Sequence, residues 1–249
     1  MPQFSANLGF LWSELSLPDA IRAAHQAGFD AVECHWPFET ATGAVTQALQ
    51  ETGLPMLGLN TRRGDTNGLC AVPGQEMAAR AAIDEAIAYA QAINAKSVHL
   101  MAGVATGPAA EASFLKALTY AVEQAPADMM LLIEPLNPFD APGYFLRDTR
   151  QACSILAQLE HPNLRLMFDC YHVARTEGDV LSRLQETRQS IGHIQFAGVP
   201  DRGAPDVGSL DYGPIFAHLD DTGWDKPLGA EYKPGGPTER SLGWMPPAR

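Results

Sequence analysis

A single-domain (β/α)8 TIM barrel is the fold class that this sequence predicts, on three observations. Eight short apolar runs are rich in β-forming residues, seven segments with helical spacing separate them, and Pro and Gly collect in the loops after the runs. The runs cover 4–10, 31–36, 54–60, 97–101, 129–134, 164–169, 191–196 and 228–232. The first, FSANLGF, reads as a strand. Runs such as VHLM and MMLLIE are continuously apolar, as parallel strands buried on both faces must be.

The helical segments fall at 18–27, 45–51, 76–93, 110–124, 149–159, 181–190 and 212–221. Gly28 follows the first where a left-handed cap belongs, and Asp148 with Thr149 opens the fifth as a cap. Eight alternating units favour a closed barrel over an open doubly wound sheet. The open alternative also lacks a GxGxxG or GxxxxGK[ST] turn after the first strand. The loops 63–74, 135–143, 200–208 and 234–237 then gather on the face where barrels carry their chemistry.

Size and charge narrow the function. The 249 residues, 46% hydrophobic, suit one barrel domain spanning 1–249. A formal charge of -12 disfavours nucleic-acid and anionic-membrane partners, which a positive field would have to attract. An anionic small molecule stays possible at a local cation such as Arg62, Arg63 or Arg202. Cys34, Cys70, Cys153 and Cys170 form no CxxC pair and read as free thiols of a reducing compartment. With no secretion signal and no run of about 18 apolar residues, the expected location is the cytoplasm.

Polar residues that close apolar strands are the candidates for chemistry. Glu134 ends MMLLIE, Asp169 ends LRLMFD, Gln195 lies in IGHIQF and Glu231 ends LGAE. Four successive strands thus deliver oxygen ligands to one quadrant of the barrel mouth. Three carboxylates so close repel unless a proton or cation intervenes. Oxygen ligands without thiolate suit Mg2+ or Mn2+. His172 stands three residues after Asp169, beside this cluster, in a loop. Lys233 follows Glu231 and is either a partner of that carboxylate or a contact for an anionic substrate. His193 is read as off the inward parity of Gln195, facing the helices, and His99 as a packed core histidine. Glu33 and His35 are read on alternating faces of the second strand; either could line the mouth, with a structural role slightly favoured. Trp36, Phe139 and Trp244 read as packing residues, the first two also as possible pocket walls.

The segments FSANLGFLW, GFDAVECHWPFE, CAVPG, LLIEPLNPFDAPGY, FDCYH, GHIQFAGVPDRGAPD and GAEYKPGG with LGWM run in order through nearly the whole chain. On them the chain resembles hydroxypyruvate isomerases of the xylose-isomerase-like barrel superfamily. The resemblance implies a divalent-metal site from Glu134, Asp169, Gln195 and Glu231, with Glu134 and Glu231 as proton donor and acceptor. It implies that His172 and Arg202 hold substrate oxygens. The implied reaction interconverts hydroxypyruvate and 2-hydroxy-3-oxopropanoate (tartronate semialdehyde). The segments VHLMAGV and AGVPDR also resemble 2-oxo-tetronate isomerases, which act on a four-carbon acid. The chain departs from the pattern in a short loop, TRRGDTNGLCAVPG, and in GSLDY where the similar enzymes often read GEINY.

That chemistry needs a positive centre near an enediolate, two carboxylates to move protons, and a cation for the substrate carboxylate. Arg202 or Lys233 is expected to supply the last, and the 63–74 loop to act as a lid. A sugar or inosose epimerase or dehydratase, a non-catalytic metabolite-binding barrel and a metal-dependent phosphodiester hydrolase are the competing readings. The hydrolase normally uses several His ligands, and Gln195 stands where one belongs. The expected partner is a small hydroxy or keto acid, with a homo-oligomer plausible.

Overall fold

The computed structural model describes residues 2–245. Its elements run β1 (Phe4–Asn7), α1 (Leu17–Gln26), β2 (Ala31–Glu33), α2 (Thr42–Thr52), β3 (Gly58–Asn60), α3 (Glu76–Ala92), β4 (Ser97–His99) and α4 (Gly107–Gln124). They continue with β5 (Met130–Ile133), α5 (Thr149–Leu159), β6 (Leu164–Asp169), α6 (Cys170–Thr176), α7 (Val180–Thr187), β7 (Ile191–Phe196), α8 (Gly213–Asp221) and β8 (Leu228–Ala230). The strands form one parallel sheet in the order β2-β1-β8-β7-β6-β5-β4-β3. Between β2 and β3 the ladder gives way to a single bridge, Val32 to Met56. Backbone bonds from Val32 N to Pro55 O (3.0 Å), Leu57 N to Val32 O (2.7 Å) and Cys34 N to Gly58 O (3.1 Å) close the cylinder there.

Several strands are shorter than their apolar runs, which carry on past the last strand residue into the barrel mouth. Glu134 and Glu231 stand there, one position beyond β5 and β8. The expected caps are present. Asp148 accepts from Gln151 N at the start of α5, and Gly28 takes φ 87° just after α1. Trp244 packs edge-on against Phe4 and Phe196, with ring centroids 5.0 and 5.3 Å away. Helix α6 departs from the sequence expectation of a loop. It starts directly after β6 because Asp169, the last strand residue, accepts from Tyr171 N at 2.8 Å and caps the new helix. His172 is therefore held on a helical turn. Among the described residues no helix is long and apolar enough to cross a membrane.

Candidate active site

The strands' C-terminal ends surround a cavity of about 280 Å3. Glu134, after β5, and Glu231, after β8, both line it, and both are buried. Their surroundings differ. Glu231 Oε2 takes a 2.5 Å bond from Arg202, and its Oε1 meets His35 Nε2 at 2.7 Å and Asn7 Nδ2 at 3.1 Å. Burial alone disfavours its charge, but Arg202 and His35 outweigh that and hold the carboxyl well below its usual range. Glu134 has no such donors. His99 Nδ1 stands 3.6 Å from Oε2 and His172 Nε2 stands 3.9 Å from Oε1, and Oε1 has no hydrogen-bond partner. Burial, then the charges of Glu231 and Asp169, push the Glu134 carboxyl well above its usual range.

Asp169 lies between them electrically. Burial pushes it up to about 7 against the pull of Arg202, whose Nη2 is 3.5 Å away. Arg202 adopts φ 56° and stacks near Tyr171 and Phe10, at 5.2 and 5.0 Å from the ring centroids. His172 Nδ1 accepts from Asn137 N at 3.0 Å, which leaves the ring proton on Nε2, facing Asp169 and Glu134. Burial pushes His172 down to about 3 and His99 down to about 4, so both rings are neutral near pH 7.

A second polar layer lies below. Glu33 takes a 2.7 Å bond from Gln195 Nε2, a 3.0 Å bond from Asn7 and a 2.8 Å contact with His193 Nε2. Burial disfavours its charge, but His193 and Gln195 outweigh that and lower its pKa. With the Gln195 nitrogen turned to Glu33, the amide oxygen is left buried and without a partner. Gly229, paired in register with Gln195, makes room for this layer. A Cβ there would stand 2.7 Å from both Glu33 oxygens.

Residues 21–248 match the family described as the xylose isomerase-like TIM barrel. The chain belongs to that family. It is 39% identical to the 2-oxo-tetronate isomerase of Cupriavidus necator, over 99% of this chain and 98% of that protein. It is 33% identical to the hydroxypyruvate isomerase of Escherichia coli over the full length of both. A solved structure from Brucella melitensis, described as an AP endonuclease of family 2, superposes with a TM-score of 0.95 at 32% identity, covering all of both chains.

Within this family barrel, the sequence-derived candidates separate by position. Glu134, Glu231, His172 and Arg202 line the cavity, and Asp169 is buried behind it against His172 and Arg202. Gln195 sits in the layer beneath. Lys233 does not join them. Its side chain is exposed and outside the cavity lining, and its backbone N–H binds the Arg202 carbonyl at 2.7 Å. Two assignments of strand parity are overturned. Residues two apart in a strand share a face, so His193 points inward with Gln195, and Glu33 and His35 share the inward side. His99 is buried but lines the cavity rather than only packing. Trp36 walls the cavity, whereas Phe139 is exposed beneath Arg175. Asn7 and Asn137 escaped the sequence reading because short polar residues in strands and loops carry no distinctive pattern.

Proposed function

We propose that this chain is an isomerase of short 2-oxo acids that interconverts hydroxypyruvate and 2-hydroxy-3-oxopropanoate. The observation that carries this reading is that two of the carboxyls lining one cavity stand in opposite settings. Glu231 is held ionised by Arg202 and His35, whereas burial and the neighbouring carboxylates push the Glu134 carboxyl, beside His99 and His172, toward its protonated form. Pairs of groups pushed apart in this way divide into base and acid. Glu231 takes a proton from C3 of hydroxypyruvate, leaving an enediolate. Glu134 returns a proton to C2, while the hydroxyl proton passes from the C3 oxygen to the C2 oxygen. The two carboxyls end with their protonation exchanged, and proton exchange with water resets them. His172 Nε2–H, which has no hydrogen-bond partner, is available to a substrate oxygen, and Arg202 keeps Glu231 charged.

The donor set fits a divalent cation. Buried Glu134 Oε1 and Gln195 Oε1 lack partners, and Glu134 and Asp169 offer carboxylate oxygens within 4.8 Å of one another. Glu134, Asp169, Gln195 and Glu231 would hold Mg2+ or Mn2+, which supplies positive charge to the enediolate oxygens. The names of the relatives support keto-acid isomerisation, and the greater identity to a 2-oxo-tetronate isomerase favours a four-carbon substrate as the second reading. Phosphodiester hydrolysis, suggested by the name of the Brucella protein, fits poorly with a net charge of -12.

The test is a panel of hydroxypyruvate, 2-hydroxy-3-oxopropanoate and 2-oxo-tetronates in D2O, with and without chelator, followed by NMR. Deuterium should enter the carbon that receives the proton, and chelator should abolish turnover until Mg2+ or Mn2+ is restored. Glu134→Gln and Glu231→Gln should each keep the wild-type circular dichroism and lose about 10^2- to 10^4-fold in kcat. Undiminished activity in either variant would overturn the proton roles.

A further inference from the structure

We propose that Arg63 anchors the substrate carboxylate and so makes the cavity select an acid over an uncharged compound of the same length. The identity of that acid rests on the isomerase reading above. The anchor itself rests on a comparison of the cations around the cavity.

Among the described residues, Arg202 and Arg63 are the arginines that line it. Arg202 is engaged by two carboxylates of the protein, Glu231 and Asp169. Lys233 turns away, and Arg62 is tied outside the cavity to Glu85 and Glu39 at 2.6 and 3.3 Å. Arg63 has no carboxylate partner among the described residues, although the chain carries twelve more negative than positive charges. It is nonetheless held in place. Its Nε donates to Asn67 Oδ1 at 2.6 Å, and its guanidinium stands 5.8 Å from the centre of the Trp36 ring. Trp36 in turn donates through Nε1 to Thr61 O at 3.1 Å. With Nε engaged, the two terminal nitrogens form the free fork that matches a carboxylate.

The backbone beneath Arg63 is fixed as well. Gly68 N bonds Arg63 O at 2.5 Å, Val104 N bonds Thr66 O at 2.8 Å, and Ala71 N bonds Ala102 O at 2.6 Å. The cation is thereby presented from a loop stitched to the end of β4, at the side of the mouth where His99 and Trp36 also stand. An arginine oriented before binding loses little freedom on taking its ligand.

D-Glycerate, a non-reacting three-carbon acid, tests the anchor by calorimetric titration of the full chain with Mg2+ present. Relative to wild type, Arg63→Gln should weaken D-glycerate binding and raise the KM for hydroxypyruvate by about 10- to 100-fold, the worth of a charge-assisted contact. Its kcat should stay within about threefold, as for an interaction made equally in ground and transition states. Arg63→Lys should recover part of the affinity, and Arg62→Gln should leave it unchanged. Turnover of dihydroxyacetone, which carries CH2OH in place of the carboxylate, should be the same in Arg63→Gln as in wild type. The proposal is overturned by wild type that does not bind D-glycerate, or by Arg63→Gln binding it as wild type does. Equal impairment of dihydroxyacetone and hydroxypyruvate turnover also overturns it. Failure of wild type to isomerise any acid of the panel would sink the isomerase reading alone, since the titration decides Arg63 without turnover.

Discussion

At the scale of single residues, the absence of a side chain at Gly229 is what lets a charged layer sit under the cavity. Gly229→Ala would drive a methyl group into the Glu33 carboxylate and Gln195 Cγ, at 2.7 and 2.9 Å. The chain must give way, so the variant should lose about 1–3 kcal/mol in urea denaturation, the usual cost of overpacking. Wild-type stability would show that Glu33 has room to turn aside. The acidic residues of the site were legible in the sequence because a charge closing an apolar run is conspicuous. Glu134, Asp169 and Glu231 stood out for that reason. His35 and His99 did not, because a histidine near a strand end looks the same whether it packs or faces a cavity. The bond from Gln195 to Glu33 joins β7 to β2 across the barrel interior, a relation that no local spacing encodes.

At the scale of elements, positions were more legible than ends. The predicted eight runs and seven helical segments each have a counterpart, and Thr149–Leu159 matches to the residue. Strand ends depended on where ladder bonds stop, which neighbouring strands decide. Helix α6 was hidden because one residue, Asp169, both ends a strand and starts a helix. The glycine-rich segment after β3 was expected to act as a lid, covering an enediolate from water. Its glycines let it press against the loop after β4. Gly68 has φ 108°, and a Cβ on it would lie 2.3 Å from Met101 O. Gly68→Ala should therefore cost about 1–3 kcal/mol in denaturant titration, the range for a residue forced into a sparsely populated backbone region. It should also raise KM for hydroxypyruvate more than it lowers kcat, because Arg63 stands on the same segment. A change in kcat alone would place the segment's influence on the chemistry rather than on binding.

At the scale of the whole molecule, buried charge couples stability to pH. Asp169, pushed up to about 7 by burial, keeps a proton in the fold that the unfolded chain releases above its ordinary value of 3.8. Its contribution therefore falls as pH rises between those values. His99 and His172, pushed down to about 4 and about 3 by burial, lack protons that the unfolded chain holds below 6.5. Their contribution is lost as pH falls, so the two effects oppose each other. Asp169→Asn preserves a capping side chain for α6 and removes the first effect. In chelator-treated protein, its stability relative to wild type should increase with pH from about 4.5 to 6.5, by up to about 1.4 kcal/mol per pH unit. A pH-independent difference in urea titrations would mean that Asp169 is ionised in the fold. The barrel's closure has a mechanical consequence. The least regular ladder of the cylinder lies between β2 and β3, where one bridge and a few backbone bonds hold the seam. Trp36 and Arg63 follow those two strands, so an acid held by Arg63 beside Trp36 would act as a clasp across that seam, tying occupancy of the mouth to the tightness of the wall.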